Sequence, residues 1–243
     1  MSITDLFKKR RQIRAAWDQE KIPSKELIHS LLEQTLDIAA SKQNLFPFKI
    51  HVIEPDNIAD HEKIAGICSL FKTGSVNDWE KERPGEKTQT YTKAPYVLVY
   101  TLRLCKPNVF VTAHSERHQE WDRFNQVLPN KYRKPNNMGL AAVEVGMFQK
   151  ALTGLCLEND LQVSYIHSFP WWRIRAPHYT YEVDENKVGY NWRELPYIDE
   201  AVLLVAQIGH KAEIDDPLES HRNPGDQYEE DKPSIDTIVE YHK

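Results

Sequence analysis

The chain has 243 residues, a net charge of -5, 40% hydrophobic and 28% charged residues. That is enough for one well-buried domain, and the acidic balance argues against a general nucleic-acid binder, whose contact face is normally basic. Cys68, Cys105 and Cys156 lie far apart with no C-x-x-C, which argues against disulfides or a thiolate zinc site and suits a reducing cytoplasm. No apolar run reaches membrane-spanning length, and the N-terminus lacks the apolar core of a secretion signal.

Residues 5–17 read as a short basic helix, with Lys8, Lys9, Arg10, Arg11 and Arg14 around Phe7, Ile13 and Trp17. Arg10 and Arg14, four apart, would share a helical face. Ile22-Pro23-Ser24 breaks that helix, and Ser24 is a candidate N-cap for the next. Leu27, Ile28, Leu31, Leu32, Thr35, Leu36 and Ala39 follow helical spacing and predict one buried face. Phe48 to Ile53 alternates and predicts a strand. Residues 57–72 read as a helix and 73–94 as a polar loop. Tyr96 to Leu102 is nearly all apolar and β-prone, which predicts a central strand covered on both faces.

Residues 106–137 read as an excursion punctuated by Pro107, Pro129 and Pro135, with a polar helix over 113–127. Met138 to Asn159 is the strongest helix, because Ala141, Val145, Phe148, Leu152 and Leu155 repeat at three and four. Leu161 to Ile166 predicts a strand, and an aromatic loop runs from Phe169 to Tyr181. Ala201 to Ile208 predicts another buried strand, ended by Gly209. An acidic, turn-rich stretch follows from Glu213 to Asp231, and Ser234 to Tyr241 alternates enough for a last edge strand. Strands separated by helices of unequal length imply an α+β fold with a mixed sheet between helices.

Several clusters carry chemistry. Arg10, Arg11 and Arg14 could clamp a phosphate, since guanidinium forks match its oxygens; a solvated basic helix has the same composition. Ser41 and Asn44, on the turn before the first strand, suit a flat, polar-edged ligand, and they suit plain turn making equally. His114 and His118 stand four apart as in a metal site, but no third ligand sits at a recognisable spacing. No G-x-S-x-G elbow anchors a hydrolase. Cys156 lies in an apolar helix and reads as core. No glycine-rich phosphate loop occurs, so a bound phosphate would have to be held by side chains.

Taken in order, these pieces resemble the nitroreductase-like FMN-dependent oxidoreductases. The segments that carry the resemblance are Arg10-Arg11-Gln12-Ile13-Arg14, then Ala40-Ser41-Lys42-Gln43-Asn44-Leu45-Phe46-Pro47-Phe48, then the strand Ala94 to Val99. They continue with Glu144 to Leu152 running to Gly154-Leu155, Ile208-Gly209-His210, and the closing Asp231 to Val239. Gln12 stands where the family has Ser, Ala40 where it has Pro, Phe46 where it has Gln, and Lys232 where Arg is common.

The resemblance implies a single domain over 1–243 with a largely antiparallel, mixed central sheet flanked by helices. A helical excursion would span about 106–137, and a C-terminal arm at about 213–243 would be exchanged in a homodimer. It implies FMN as cofactor and NADH or NADPH as reductant, with a nitroaromatic, quinone or similar small molecule as acceptor. No metal, nucleic acid or membrane is implied. Arg10, Arg11 and Arg14, with Gln12 among them and Lys232 from the tail, would hold the phosphate and ribityl chain. Ser41, Asn44 and Phe46 would face the ring from the partner subunit, and His167 and Ser168 would lie near flavin N5. The flavin carries the difficult chemistry, so no catalytic side chain is implied. A flavin-binding protein without turnover, and a flavin-free partner-binding module, remain alternatives.

Overall fold

A computed structural model describes residues 2–10, 13, 17–41, 46–69, 94–103, 135–166, 192, 195–198 and 201–213. The elements in chain order are α1 (Ile3–Lys8), α2 (Lys25–Ile38), β1 (Phe48–Ile53), α3 (Ile58–Ser69), β2 (Tyr96–Leu102), α4 (Pro135–Glu158), β3 (Gln162–Ile166) and β4 (Val202–Gly209). The four strands form one sheet in the order β1-β2-β4-β3. All three pairings among the described residues are antiparallel.

The sheet is sandwiched. Every residue of β2 is buried, and alternate side chains enter two different cores. Tyr96, Leu98 and Tyr100 pack with Ile28 and Leu31 of α2 and with Val145, Phe148, Leu152 and Cys156 of α4. Val97 and Val99 pack with Ile64, Ile67 and Cys68 of α3 and with Trp192, Leu195 and Ile198. The pairing of β2 with β4 slips after Tyr100, which faces Leu204, because Thr101 faces Val202. Leu203 is thus the extra residue of a bulge, which carries Val202 into the α3 core and re-aims the strand end.

Local sequence sets the helix ends. Ser24 Oγ accepts the Leu27 N–H at 3.1 Å, the expected N-cap of α2. Pro135, read from sequence as punctuation, is instead the first residue of α4, where its missing N–H costs nothing. At the other end of α4, Asp160 adopts a left-handed φ of 57°. Leu161 N–H bonds Cys156 O at 2.9 Å and Asp160 N–H bonds Leu157 O at 3.3 Å, the paired bonds of a Schellman cap. That cap turns the chain directly into β3.

The largest correction to the sequence reading lies at the N-terminus. The basic helix ends at Lys8 rather than running to residue 17. Its start is fixed by a reciprocal capping box between Ser2 and Asp5. Ile13 and Trp17, which matched helical spacing, belong to a separate small core with Ala94, and Trp17 bridges Lys211 antiparallel. Arg10 therefore sits past the helix end, and its expected sharing of a helical face with Arg14 does not hold.

Gly209 is required where this segment crosses the end of β4. A Cβ there would lie 2.6 Å from Pro95 Cδ and 3.1 Å from the Trp17 ring, closer than packed atoms tolerate. Gly209→Ala is expected to lower the urea midpoint, at a cost of about 1–3 kcal/mol for the forced repacking. An unchanged midpoint would mean that the Trp17 strap gives way freely.

Candidate functional site

The turn between α2 and β1 is built on Ser41. Its Oγ donates to Glu144 Oε2 at 2.6 Å and accepts the Phe46 N–H at 2.8 Å. Phe46 has a left-handed φ of 44°, a strain of roughly 1–2 kcal/mol for a residue with a Cβ. Both of its main-chain groups are held in compensation. Its carbonyl accepts from Phe48 N–H at 2.7 Å and from Arg103 Nε at 3.0 Å. Arg103 N–H in turn donates to Pro47 O at 3.1 Å. The Phe46 ring lies edge-on to Phe48 at 6.1 Å and packs against the α2/α4 core. With its proton committed to Glu144, the Ser41 hydroxyl has only an acceptor lone pair to offer a ligand.

Arg10 is held elsewhere. α1 lies on α4, with Phe7 against Gly154 and Lys150 Nζ 3.8 Å from the Phe7 ring centre. The chain then passes along β3. Gln162 Nε2 donates to Lys9 O at 3.3 Å, and Ser164 Oγ donates to Ile13 O at 2.6 Å. The Arg10 guanidinium carbon lies 4.7 Å over the centre of the Tyr165 ring. The Tyr165 hydroxyl hydrogen-bonds Thr153 Oγ1 on α4. Ser164 and Tyr165 point to opposite faces of the strand, so β3 meets Lys9 and Ile13 from one face and the Arg10 side chain from the other.

These two places are separate within one chain. Glu144, which holds Ser41, and Thr153, which backs the Arg10 shelf, are spaced about 14 Å along the α4 axis. Of the residues expected at a cofactor site, Arg10, Ser41 and Phe46 fall among the described residues, and the fold does not bring Arg10 to the Ser41 turn. Arg11, Gln12, Arg14, Asn44, His167, Ser168 and Lys232 lie outside them, as do His114, His118, the aromatic loop and the 234–241 segment. The sequence reading missed Tyr165, Thr153, Glu144 and Arg103. A tyrosine alternating with apolar residues in a strand is the one sequence signal that marks Tyr165.

A donor set for a phosphate needs cationic forks fixed in place. Arg10 meets that need, being stacked and half-buried beside a backbone tied to β3. The residues present therefore fit an FMN phosphate. Among the described residues, Gln149 and Gln207 also bury complete side-chain amides without a hydrogen-bond partner; each orphaned group costs about 1–3 kcal/mol. Neither described cysteine offers a nucleophile. Burial pushes the Cys68 and Cys156 thiols up to about 12, as the core reading of Cys156 anticipated. No group of three or more His, Cys, Asp or Glu among the described residues is placed to hold a metal.

A nitroreductase-like protein from Streptococcus mutans superposes with a TM-score of 0.60 at 14% identity, covering 99% of this chain and 98% of its own. The chain has the nitroreductase-like fold. A nitroreductase with bound FMN from Desulfitobacterium hafniense gives 0.55 at 13% identity, covering 100% of both chains. A nitroreductase family protein from Streptococcus pneumoniae gives 0.54 at 15% identity, covering 99% of this chain and 100% of its own. No protein-family model and no curated protein matches the sequence. No helix among the described residues is long and apolar enough to cross a membrane.

The other polar cluster lies on the α3 side and is turned inward. Asp60 Oδ2 accepts from the Tyr197 hydroxyl at 2.7 Å and from Asn57 Nδ2 at 2.9 Å, while Oδ1 accepts from Lys63 at 3.2 Å. His51 bonds Thr101 at 3.1 Å and lies against the Tyr197 ring. Burial pushes the Asp60 carboxyl up, but the Tyr197, Asn57 and Lys63 hydrogen bonds outweigh it and hold it below the usual carboxylate value. The cluster clamps residues 195–198 onto α3 and β1 in a structural role.

Ser41→Ala leaves Glu144 and the Phe46 N–H each one bond short, and is expected to cost about 1 kcal/mol in denaturant unfolding. Tyr197→Phe is expected to destabilise the protein near neutral pH. A depressed carboxylate contributes stability above its unfolded value of about 3.9 and loses it as pH falls through the folded value. The Tyr197→Phe deficit should therefore shrink on acidification through that range; a deficit constant with pH would remove Asp60 from the account.

Proposed function

We propose that the protein is an FMN-dependent oxidoreductase that uses NADH or NADPH to reduce a small acceptor such as a nitroaromatic or a quinone. The observation that carries this reading is Arg10, fixed on Tyr165 at the sheet edge in a chain whose fold matches an FMN-bound nitroreductase over its full length. When bound, FMN supplies the redox chemistry, accepting a hydride from the reduced nicotinamide and passing the electrons on.

The chain's own residues bind and orient. Arg10, with Arg11, Gln12 and Arg14 after it and Lys232 from the tail, neutralises the phosphate. Ser41, its proton held by Glu144, accepts a hydrogen bond from a ring N–H, and Asn44 lies beside it. His167 and Ser168, next after β3, sit near the reacting edge. Phe46 leans into the core, so it narrows the site through the turn it shapes rather than by lying over the ring.

The separation of Ser41 from Arg10 makes the site complete only with a second copy of the chain. The outer surface supports that arrangement. Leu36 and Ile38 of α2 and Val143 and Met147 of α4 are about half exposed or more, on helices that pack together beside the Ser41 turn. A copy docked there would carry its own Ser41 turn toward its partner's Arg10. The 1–243 chain then forms one domain, with 106–137 as an excursion and 213–243 as an arm crossing to the partner.

Gel filtration with light scattering after FMN addition is expected to give a yellow dimer. Its flavin absorbance should fall on adding NADH or NADPH and return with a quinone or nitroaromatic. Protein that stays colourless overturns the reading, and bound flavin that neither nicotinamide reduces marks a flavin carrier instead.

A further inference from the structure

We infer that Tyr165 is a positioning residue for phosphate recognition: its ring, anchored on α4 through Thr153, is the shelf that aims the Arg10 guanidinium. The inference rests on the flavin reading and adds a residue and a selectivity to it.

A guanidinium on a long, flexible side chain beyond a helix end samples many rotamers, and ordering it costs up to about 2 kcal/mol. Here that freedom is already restricted. The guanidinium carbon stands 4.7 Å over the Tyr165 ring centre, within the range where the ring's negative face attracts a cation. Stacking on one face fixes the plane of the guanidinium, and a fork held in one plane matches the oxygens of a phosphate. The backbone is restrained on both sides of Arg10, by Gln162 on Lys9 O and by Ser164 on Ile13 O.

Tyr165 is itself immobilised. Its hydroxyl bonds Thr153 Oγ1, and that hydroxyl also donates to Gln149 O at 2.7 Å. The shelf is thus a continuous chain of contacts from the α4 backbone through Thr153 and Tyr165 to Arg10. Three contacts from β3, at 162, 164 and 165, fall on Lys9, Ile13 and Arg10. Loss of the shelf should weaken contact with the phosphate and leave contact with the ring system unchanged.

FMN and riboflavin differ in that phosphate alone, so the ratio of their dissociation constants reads the proposal directly. Flavin fluorescence titrations on the full-length protein are expected to show Tyr165→Leu weakening FMN roughly tenfold, with riboflavin affinity within twofold of the parent. Tyr165→Phe keeps the ring and should recover most of the FMN preference. Thr153→Val, which leaves the ring in place without its anchor, should fall between them and serves if Tyr165→Leu does not fold. In an Arg10→Gln background, Tyr165→Leu should have no further effect on the ratio.

Equal loss of FMN and riboflavin in Tyr165→Leu, or no loss of either, overturns the positioning role while the flavin reading stands. Additive effects of Arg10→Gln and Tyr165→Leu overturn it as well. A parent protein that binds neither flavin overturns the flavin reading, and this inference with it.

Discussion

The constraint on which the molecule depends is that β2 has no solvent face. Tyr96 to Leu102 is buried throughout, with strands paired along both edges. Each fully buried apolar side chain of this kind contributes on the order of 1.5–3 kcal/mol, so both faces have to be covered. Helices α2 and α4 cover one, and α3 with Trp192, Leu195 and Ile198 covers the other. On the strand Thr101 is satisfied by His51 of β1, while the Tyr100 hydroxyl is buried without a hydrogen-bond partner. The rest of the architecture follows from covering that strand twice.

The second consequence appears at the edge. β3 is the outermost described strand on its side, and an uncovered strand edge invites pairing with other chains. The N-terminal segment wraps that edge, with Ile13 and Trp17 buried and Trp17 bridging Lys211. The covering segment is also the one that carries the arginines. Protection of the sheet and placement of the cationic group are therefore one structural event, which explains why Arg10 is stacked and half-buried rather than free in solvent.

Much of this was legible in the sequence. The four strands lie within a residue of where apolar runs and alternation put them, because a strand covered on both faces can hardly be written in other letters. The end of α1 was not legible. Phe7, Ile13 and Trp17 mimic helical spacing, and only tertiary contacts reveal that they serve different cores. Burial along β1 was not legible either. Val52 is apolar yet 38% exposed, while His51 is buried, because the strand feeds two cores and the helices do not reach over Val52. At the site, the charge of the basic run pointed to Arg10, and Ser41 stood out by its turn chemistry. Tyr165 could not be found that way, since its importance comes from a residue 155 positions earlier in the chain.

The left-handed backbone at Phe46 has a consequence for how this turn can change. Its conformation is secured from outside, by a serine hydroxyl on its N–H and by an arginine and a neighbouring amide on its carbonyl. None of those bonds involves the ring. A residue with a Cβ meets a steric penalty there, so it is the bonds to the backbone that set the path of the chain. Position 46 behaves as a socket, in which the scaffold is inherited and the fitting is replaceable. A change of residue here is thus felt first in the packing of the ring against Phe48 and the α2/α4 core, while the turn itself stays with the bonds to its backbone.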